Sequence, residues 1–338
     1  MASAPGDTSP EVVVTVASSP RMRAAIADAI GDAARVVYLA DLEPGKRGAA
    51  LSSARALLSS GSLDELDGDD ELGLIAGVGL LQLLSAGANS VPFGRIAPEV
   101  VVASNAGAYA GPMAEHVLAL TLALAKRLPQ NHAALARGEF DQSRPNLELR
   151  GSVVGILGYG GIGRASAELF RAFGARIHAI GRSRGDPPEG VEWFGTLEDL
   201  DELLGAADVV LIALPLTRST RGLIGRRELS LMKPRAILVN PARAAILDEG
   251  ALYEHMREHP EFSAGIDAWW HEPRDHSSFS TERPLFELPN LLGSPHNSAI
   301  TRGSLSAAAG RAAENVSRFL AGDPPRHVVD RSEYLDPA

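Results

Sequence analysis

The sequence predicts an α/β protein in which a doubly wound parallel sheet is inserted into a smaller α/β unit. Three observations predict it. Short β-branched runs alternate with helical stretches along the chain. In the middle of the chain these runs are continuously apolar, as strands covered on both faces are. A glycine-rich turn joins the first of them to a helix. With 338 residues, 45% hydrophobic and 22% charged, the length and composition suit about two ordinary globular domains.

The first hundred residues read as the smaller unit, with strands at 12–16 and 36–39 and a helix at 21–30 between them. Residues 54–58 and 81–84 read equally as strand or helix. Pro92, Pro98 and Pro112 mark connections. A long helix is expected from Met113 to about Gly138. Its stretch 117–125 is almost wholly apolar, which places it between domains or in the interface of a homodimer. Six buried strands follow, at 153–157, 176–180, 208–214, 236–240, 264–268 and 290–293. Helices are expected at 162–173, 197–204, 226–232 and 249–259. A last helix at 304–320 returns to the first unit. The expected domains are therefore 1–104 plus 297–338, for substrate, and 105–296, for a dinucleotide.

Composition excludes several classes. The chain has 42 acidic and 32 basic residues, a net charge of −10, whereas neutralising phosphates needs clustered positive charge. No nucleic-acid partner is expected. The absence of cysteine excludes disulfides, thiolate zinc sites, iron–sulfur clusters and cysteine nucleophiles. Residues 1–10 hold no apolar core and no basic residue precedes Arg21, so no signal peptide is expected. The apolar stretch 73–88 is short, glycine-rich and interrupted by Gln82. The expectation is a soluble cytoplasmic protein with no membrane partner.

The turn Gly158-Tyr159-Gly160-Gly161-Ile162-Gly163 fits GxGxxG and lies between an expected strand and an expected helix. In that context the first glycine permits a tight turn, the second a close approach to a pyrophosphate and the third close helix–strand packing. This is a Rossmann-type signature. At the end of the next strand, Ala179-Ile180-Gly181-Arg182-Ser183-Arg184 contains no acid to bond a ribose 2′-hydroxyl. Arg182 and Ser183 suit a 2′-phosphate instead, so NADP is preferred and NAD remains possible.

Three polar residues stand at consecutive strand ends, where open α/β sheets bind ligands: Arg243, Glu272 and His296. Reducing a ketone by hydride leaves an oxygen that needs a proton, and a histidine titrating near neutrality supplies one. A carboxylate on its other nitrogen orients the ring, and an arginine clamps a substrate carboxylate and polarises the carbonyl.

At these residues the chain resembles the D-isomer-specific 2-hydroxyacid dehydrogenases, from about residue 54 to 323. Ser85-Ala86-Gly87 is similar to the family's substrate loop, which implies that the Ala86 and Gly87 amides hold a carboxylate; the family's usual Asp is Asn89 here. Met113-Ala114-Glu115-His116 resembles the start of the family's interdomain and dimer helix. Pro215 and Thr220, in Leu214-Pro215-Leu216-Thr217…Thr220, match the segment lining the adenosine. Asp267 matches the residue contacting the nicotinamide carboxamide. The family's catalytic Arg, Glu and His fall on Arg243, Glu272 and His296, and the implied smaller domain is flavodoxin-like.

Ala244 departs from the glycine usual after the Arg, and Trp269-Trp270 replaces a single aromatic or aliphatic residue. That pair is expected either to shape the pocket or to pack an interface. The segment 275–282 reads as polar and loosely specified. His255 and His259, at i,i+4, are expected on a solvated helix face rather than around a metal. His271-Glu272…His276 has the wrong spacing for a zinc motif, and Pro273 breaks the helix it requires. His116 is expected to fix a helix start. The tail from Asp323 is expected to be partly ordered on the first domain.

The implied activity is hydride transfer between NADP(H) and a small 2-ketoacid, of glyoxylate or hydroxypyruvate type. Phosphoglycerate, formate and phosphite dehydrogenases are alternatives on the same scaffold; long phosphoglycerate dehydrogenases carry a regulatory domain for which these 338 residues leave no room. A non-catalytic NAD(P)-sensing binder resembling a corepressor is the alternative from another class.

Overall fold

The structure, a computed structural model, describes residues 9–273 and 276–335. It divides into two units, 1–108 with 301–338, and 109–300.

The first unit holds a five-stranded parallel sheet. Its elements are β1 (Glu11–Val14), α1 (Pro20–Ile30), β2 (Arg35–Tyr38), α2 (Pro44–Ser53), β3 (Ala54–Ser59), α3 (Gly68–Leu74), β4 (Leu80–Leu83) and β5 (Val101–Ala103). The strand order β2-β1-β3-β4-β5 is the flavodoxin-like one. Of residues 54–58 and 81–84, open between strand and helix in the sequence, 54–58 and 81–83 are strand because they lie inside the sheet and are buried on both faces. Val12 and Val14 enter one core with Ile26 of α1, while Val13 enters the other with Leu51 of α2. The last helix, α10 (Ser304–Leu320), packs Ala309, Ala312, Ala313 and Val316 into the same core as α1. The tail follows it: Val329 N–H donates to Val102 O, and the Arg331 guanidinium donates to the carbonyls of Ile96, Ala97 and Val100.

The second unit opens with α4 (Ala110–Ala125) and α5 (Leu128–Ala136), where the sequence predicts one helix. Pro129 has no N–H to continue the ladder, and Arg127 turns left-handed at φ +53°. Val117, Leu120 and Leu124 bury one face of α4 against the sheet. The sheet follows as β6 (Val153–Leu157), α6 (Gly161–Ala172), β7 (Arg176–Ile180), β8 (Trp193–Gly195), α7 (Leu200–Ala206), β9 (Val209–Ile212), α8 (Arg226–Leu231), β10 (Ile237–Asn240), α9 (Glu249–Glu258), β11 (Ser263–Ile266) and β12 (Leu291–Gly293). Its order is β12-β11-β10-β9-β6-β7-β8, all parallel, so β6 and β9 flank the point where the winding reverses. β8 is a seventh strand that the sequence reading lacks: three residues on the edge are too few to show a period. Helices cover both faces, with α4 and α6 on one core and α7, α8 and α9 on the other. Among the described residues no helix is long and apolar enough to cross a membrane.

Candidate active site

The turn after β6 is made of backbone. Gly158 lies at φ +101°, and the N–H groups of Gly158 and Tyr159 both donate to Ile180 O. A Cβ on Gly158 would stand 2.7 Å from Ala213 O, and one on Gly163 would stand 2.2 Å from Gly158 O. Gly160, by contrast, faces open space. It precedes α6, and no side chain caps that helix. The uncapped amides at a helix start, in a cradle without side chains, fit a dinucleotide pyrophosphate. Ile162 is half-buried in the helix's first turn, and the Arg164 guanidinium lies over the Tyr159 ring at 4.9 Å.

Beyond β7, Arg182 and Ser183 are exposed. Arg184 is held by Asp199 at 2.8 Å and by Glu198 at 3.5 Å. The acids missing beside the strand are thus supplied to Arg184 by the segment after β8. Thr220 is buried: its Oγ1 donates to Pro215 O at 2.6 Å and accepts from Thr217 N–H at 2.9 Å, so it shapes the turn around the exposed Pro215.

The loop after β12 brings His296 to Glu272. His296 Nδ1 lies 2.8 and 2.7 Å from the two carboxylate oxygens, leaving Nε2 for proton exchange. The Trp269 N–H donates to the same carboxylate at 2.8 Å. Burial pushes the Glu272 carboxyl up, but its bonds from His296 and Trp269, with the Arg243 charge, outweigh that and hold it below the usual range. His296 itself is left-handed at φ +49°, a sparsely populated region for a side-chain-bearing residue. Its N–H is fastened to Asp267 O at 2.8 Å and Ser294 O at 3.0 Å.

Asp267 is fully buried. Its carboxylate accepts from Ser294 Oγ at 2.5 Å, Asn297 N–H at 3.2 Å and Ser298 N–H at 3.1 Å. Burial raises its pKa, and these bonds, with His116 nearby, lower it further than burial raises it. The Ser294 hydroxyl is in turn 2.8 Å from His116 Nε2. His116 therefore does not fix a helix start. It sits mid-helix in α4 and braces the His296 loop, because the turn of α4 facing the sheet end carries it to Ser294. Ser294 is a residue the sequence reading passed over, and its place beside Pro295-His296 was the available signal.

Arg243 follows β10 and is half-buried. Its Nη1 donates to Ala242 O at 2.8 Å. The buried Asn240 holds its backbone, donating to Arg243 O and accepting from Ala242 N–H. In the first unit, Ala86 and Gly87 are half-exposed, and among the described residues neither amide donates to a protein acceptor. The paired indoles are anchored inside the unit, Trp269 Nε1 on Ser294 O and Trp270 Nε1 on Leu247 O. His255 and His259 are not a solvated face: the rings stack at 4.3 Å and His255 meets Phe262 edge-on. Burial, with His259 beside it, pushes His255 down to about 4. Among the described residues no cluster of ligating side chains could hold a metal. Of the segment 275–282, Asp275 lies outside the described residues, and Ser280 bridges to His271.

Residues 118–298 match the family model "D-isomer specific 2-hydroxyacid dehydrogenase, NAD binding domain". The chain belongs to this family. It is 38% identical over 240 residues to the glyoxylate reductase of Aeropyrum pernix, covering 69% of this chain and 70% of that one. It is 36% identical over 234 residues to the D-3-phosphoglycerate dehydrogenase of Methanocaldococcus jannaschii, covering 68% of this chain but 43% of that protein's length. Among solved structures, the D-isomer specific 2-hydroxyacid dehydrogenase of Xanthobacter autotrophicus, in complex with NADPH, superposes at a TM-score of 0.80. That match has 25% identity and covers 97% of this chain and 100% of the other. The family's dinucleotide site corresponds to the second unit described above.

Proposed function

We propose that the protein interconverts a small 2-ketoacid and its 2-hydroxyacid with NADP(H), as a glyoxylate- or hydroxypyruvate-type reductase. The observation that carries this reading is the Glu272–His296 pair at a strand end of the sheet whose first turn is the glycine cradle. A bound nicotinamide dinucleotide supplies the hydride that substrate C2 gains. His296 Nε2 gives its proton to the carbonyl oxygen, so that the ketone becomes a hydroxyl, and takes the proton back in the reverse direction. Glu272 fixes the ring through Nδ1. Arg243 clamps the substrate carboxylate and polarises the carbonyl. In the first unit, the Ala86 and Gly87 amides are assigned to binding a carboxylate.

The cofactor is assigned to Gly158–Gly163, with Tyr159 and Ile162 in the turn, Pro215 and Thr220 beside the adenosine and Asp267 at the carboxamide. Arg182 and Ser183 favour NADP. A cytoplasmic homodimer is part of the proposal, supported by the exposed Leu128 and Leu135 next to α4. A phosphoglycerate dehydrogenase is the second reading, favoured by the similarity to the M. jannaschii protein.

The test is the initial rate of NADPH and NADH oxidation with glyoxylate, hydroxypyruvate and 3-phosphohydroxypyruvate. Turnover with a higher kcat/KM for NADPH is expected. His296→Ala should lower kcat by about 10²- to 10⁴-fold while NADPH still binds. A variant as active as the parent would mean a sensor rather than a catalyst, and a preference for NADH would remove the role of Arg182.

A further inference from the structure

We propose that an apolar cavity beside the Glu272–His296 pair receives a hydrocarbon side chain of the substrate. Two-ketoacids with branched or aromatic side chains are then turned over at least as well as glyoxylate. This rests on the reaction proposed above and names the substrate class of the same site.

The cavity lies wholly within the second unit and has a volume of about 360 Å³, inside the range of small-molecule pockets, roughly 300–1,000 Å³. Glu272 and His296 form part of its wall, and the rings of Trp269, Phe279 and Phe286 form the rest of its character. Trp269 stacks on Phe286 at 5.1 Å and meets Phe279 edge-on at 5.4 Å. The indole is fixed, with Nε1 on Ser294 O, and lies so close over Gly293 that a Cβ there would stand 2.6 Å from it. Its own backbone N–H holds the Glu272 carboxylate. One residue thus ties the apolar wall to the proton-handling pair.

The chain leaves these rings partly uncovered. Phe279 is 45% exposed and Phe286 59%, although they cluster with a buried indole. Apolar surface kept open next to a reacting group gains binding free energy when a ligand covers it. Glyoxylate has no side chain to do so. A phosphorylated chain would lose hydration against the rings, and among the described residues lining the cavity His296 is the one basic group.

The experiment is kcat/KM with NADPH for glyoxylate, pyruvate, 4-methyl-2-oxopentanoate and phenylpyruvate, in the parent, Phe279→Ala and Phe286→Ala. Inhibition by 4-methylpentanoate against acetate is measured alongside. Both phenylalanines are partly exposed, so melting temperatures and light scattering check that fold and assembly persist. The parent values should rise along the series. The phenylpyruvate-to-glyoxylate ratio, and the preference for 4-methylpentanoate over acetate, should each fall about tenfold in the variants. A parent that turns over glyoxylate alone overturns this inference and leaves the reaction standing. A ratio unchanged in both variants, with assembly lost, assigns the rings to contact between copies and overturns it too. No turnover of any 2-ketoacid despite NADPH binding overturns the reaction itself and this inference with it.

Discussion

The turn between β6 and α6 and the loop after β12 lie in one sheet, yet they are built in opposite ways. The turn works by what it lacks. Side chains at Gly158 and Gly163 would collide with backbone, and the amides that remain suit an anion. The loop works by what it gathers. His296 depends on Glu272 for its ring, on Asp267 and Ser294 for its left-handed backbone, and through Ser294 on His116. A phosphate site can be made from a few consecutive residues, because every residue supplies an amide. A site that moves a proton needs charged and hydroxyl partners that the local chain does not contain.

Breaking the turn should have the largest effect. Gly163→Ala sets a methyl against Gly158 O with no side chain that can yield, so it should cost about 3 kcal/mol in urea unfolding and abolish NADPH binding. A loss under about 0.5 kcal/mol would mean the turn relaxes and that its glycines are not sterically required.

Breaking the loop should be milder in stability and selective in effect. Ser294→Ala leaves the buried Asp267 carboxylate one donor short and His116 without its acceptor, at a cost of about 2 kcal/mol. NADPH binding should persist while kcat falls, because His296 loses its support. Equal losses in binding and kcat would mean that turn and loop are not separable.

The smallest effect separates the site from the histidines of α9. His255 titrates at about 4 in the folded protein and near 6.5 unfolded. The unfolded chain therefore binds the proton first. The stability this group contributes is complete above pH 6.5 and is lost as pH falls towards 4. Glu272, whose pKa is lowered, keeps its contribution above the ordinary carboxylate value and loses it as pH falls from there through its lowered folded value. His255→Phe should reduce the fall in melting temperature between pH 7 and pH 5 by about 3 °C. An unchanged profile would assign that fall to other groups.

Elements set by their own residues were legible. β6, β7 and α10 fall at the bounds their apolar runs indicate. The long helix was not, since the break at Arg127 needs Pro129 to act against a run of good helix formers. His255 and His259 misled for a related reason. Charged neighbours make α9 look solvated, while the helix turns its histidine pair onto Phe262. In the site, Arg243, Glu272 and His296 could be picked out because strand ends converge in any open parallel sheet. Ser294 and His116 could not, because neither carries a pattern of its own.

By itself the sequence determined the α/β class, the strand and helix alternation, and the glycine turn. These follow from periodicity and from the steric freedom of single residues, which act over a few positions. Only the tertiary structure decided that Asp267 braces the His296 loop, that Arg184 belongs to Asp199, and that Trp269 joins an apolar cavity to Glu272. Those outcomes depend on which side chains meet. His116 and Ser294 lie 178 residues apart, and only the packing of α4 on the sheet brings them to 2.8 Å.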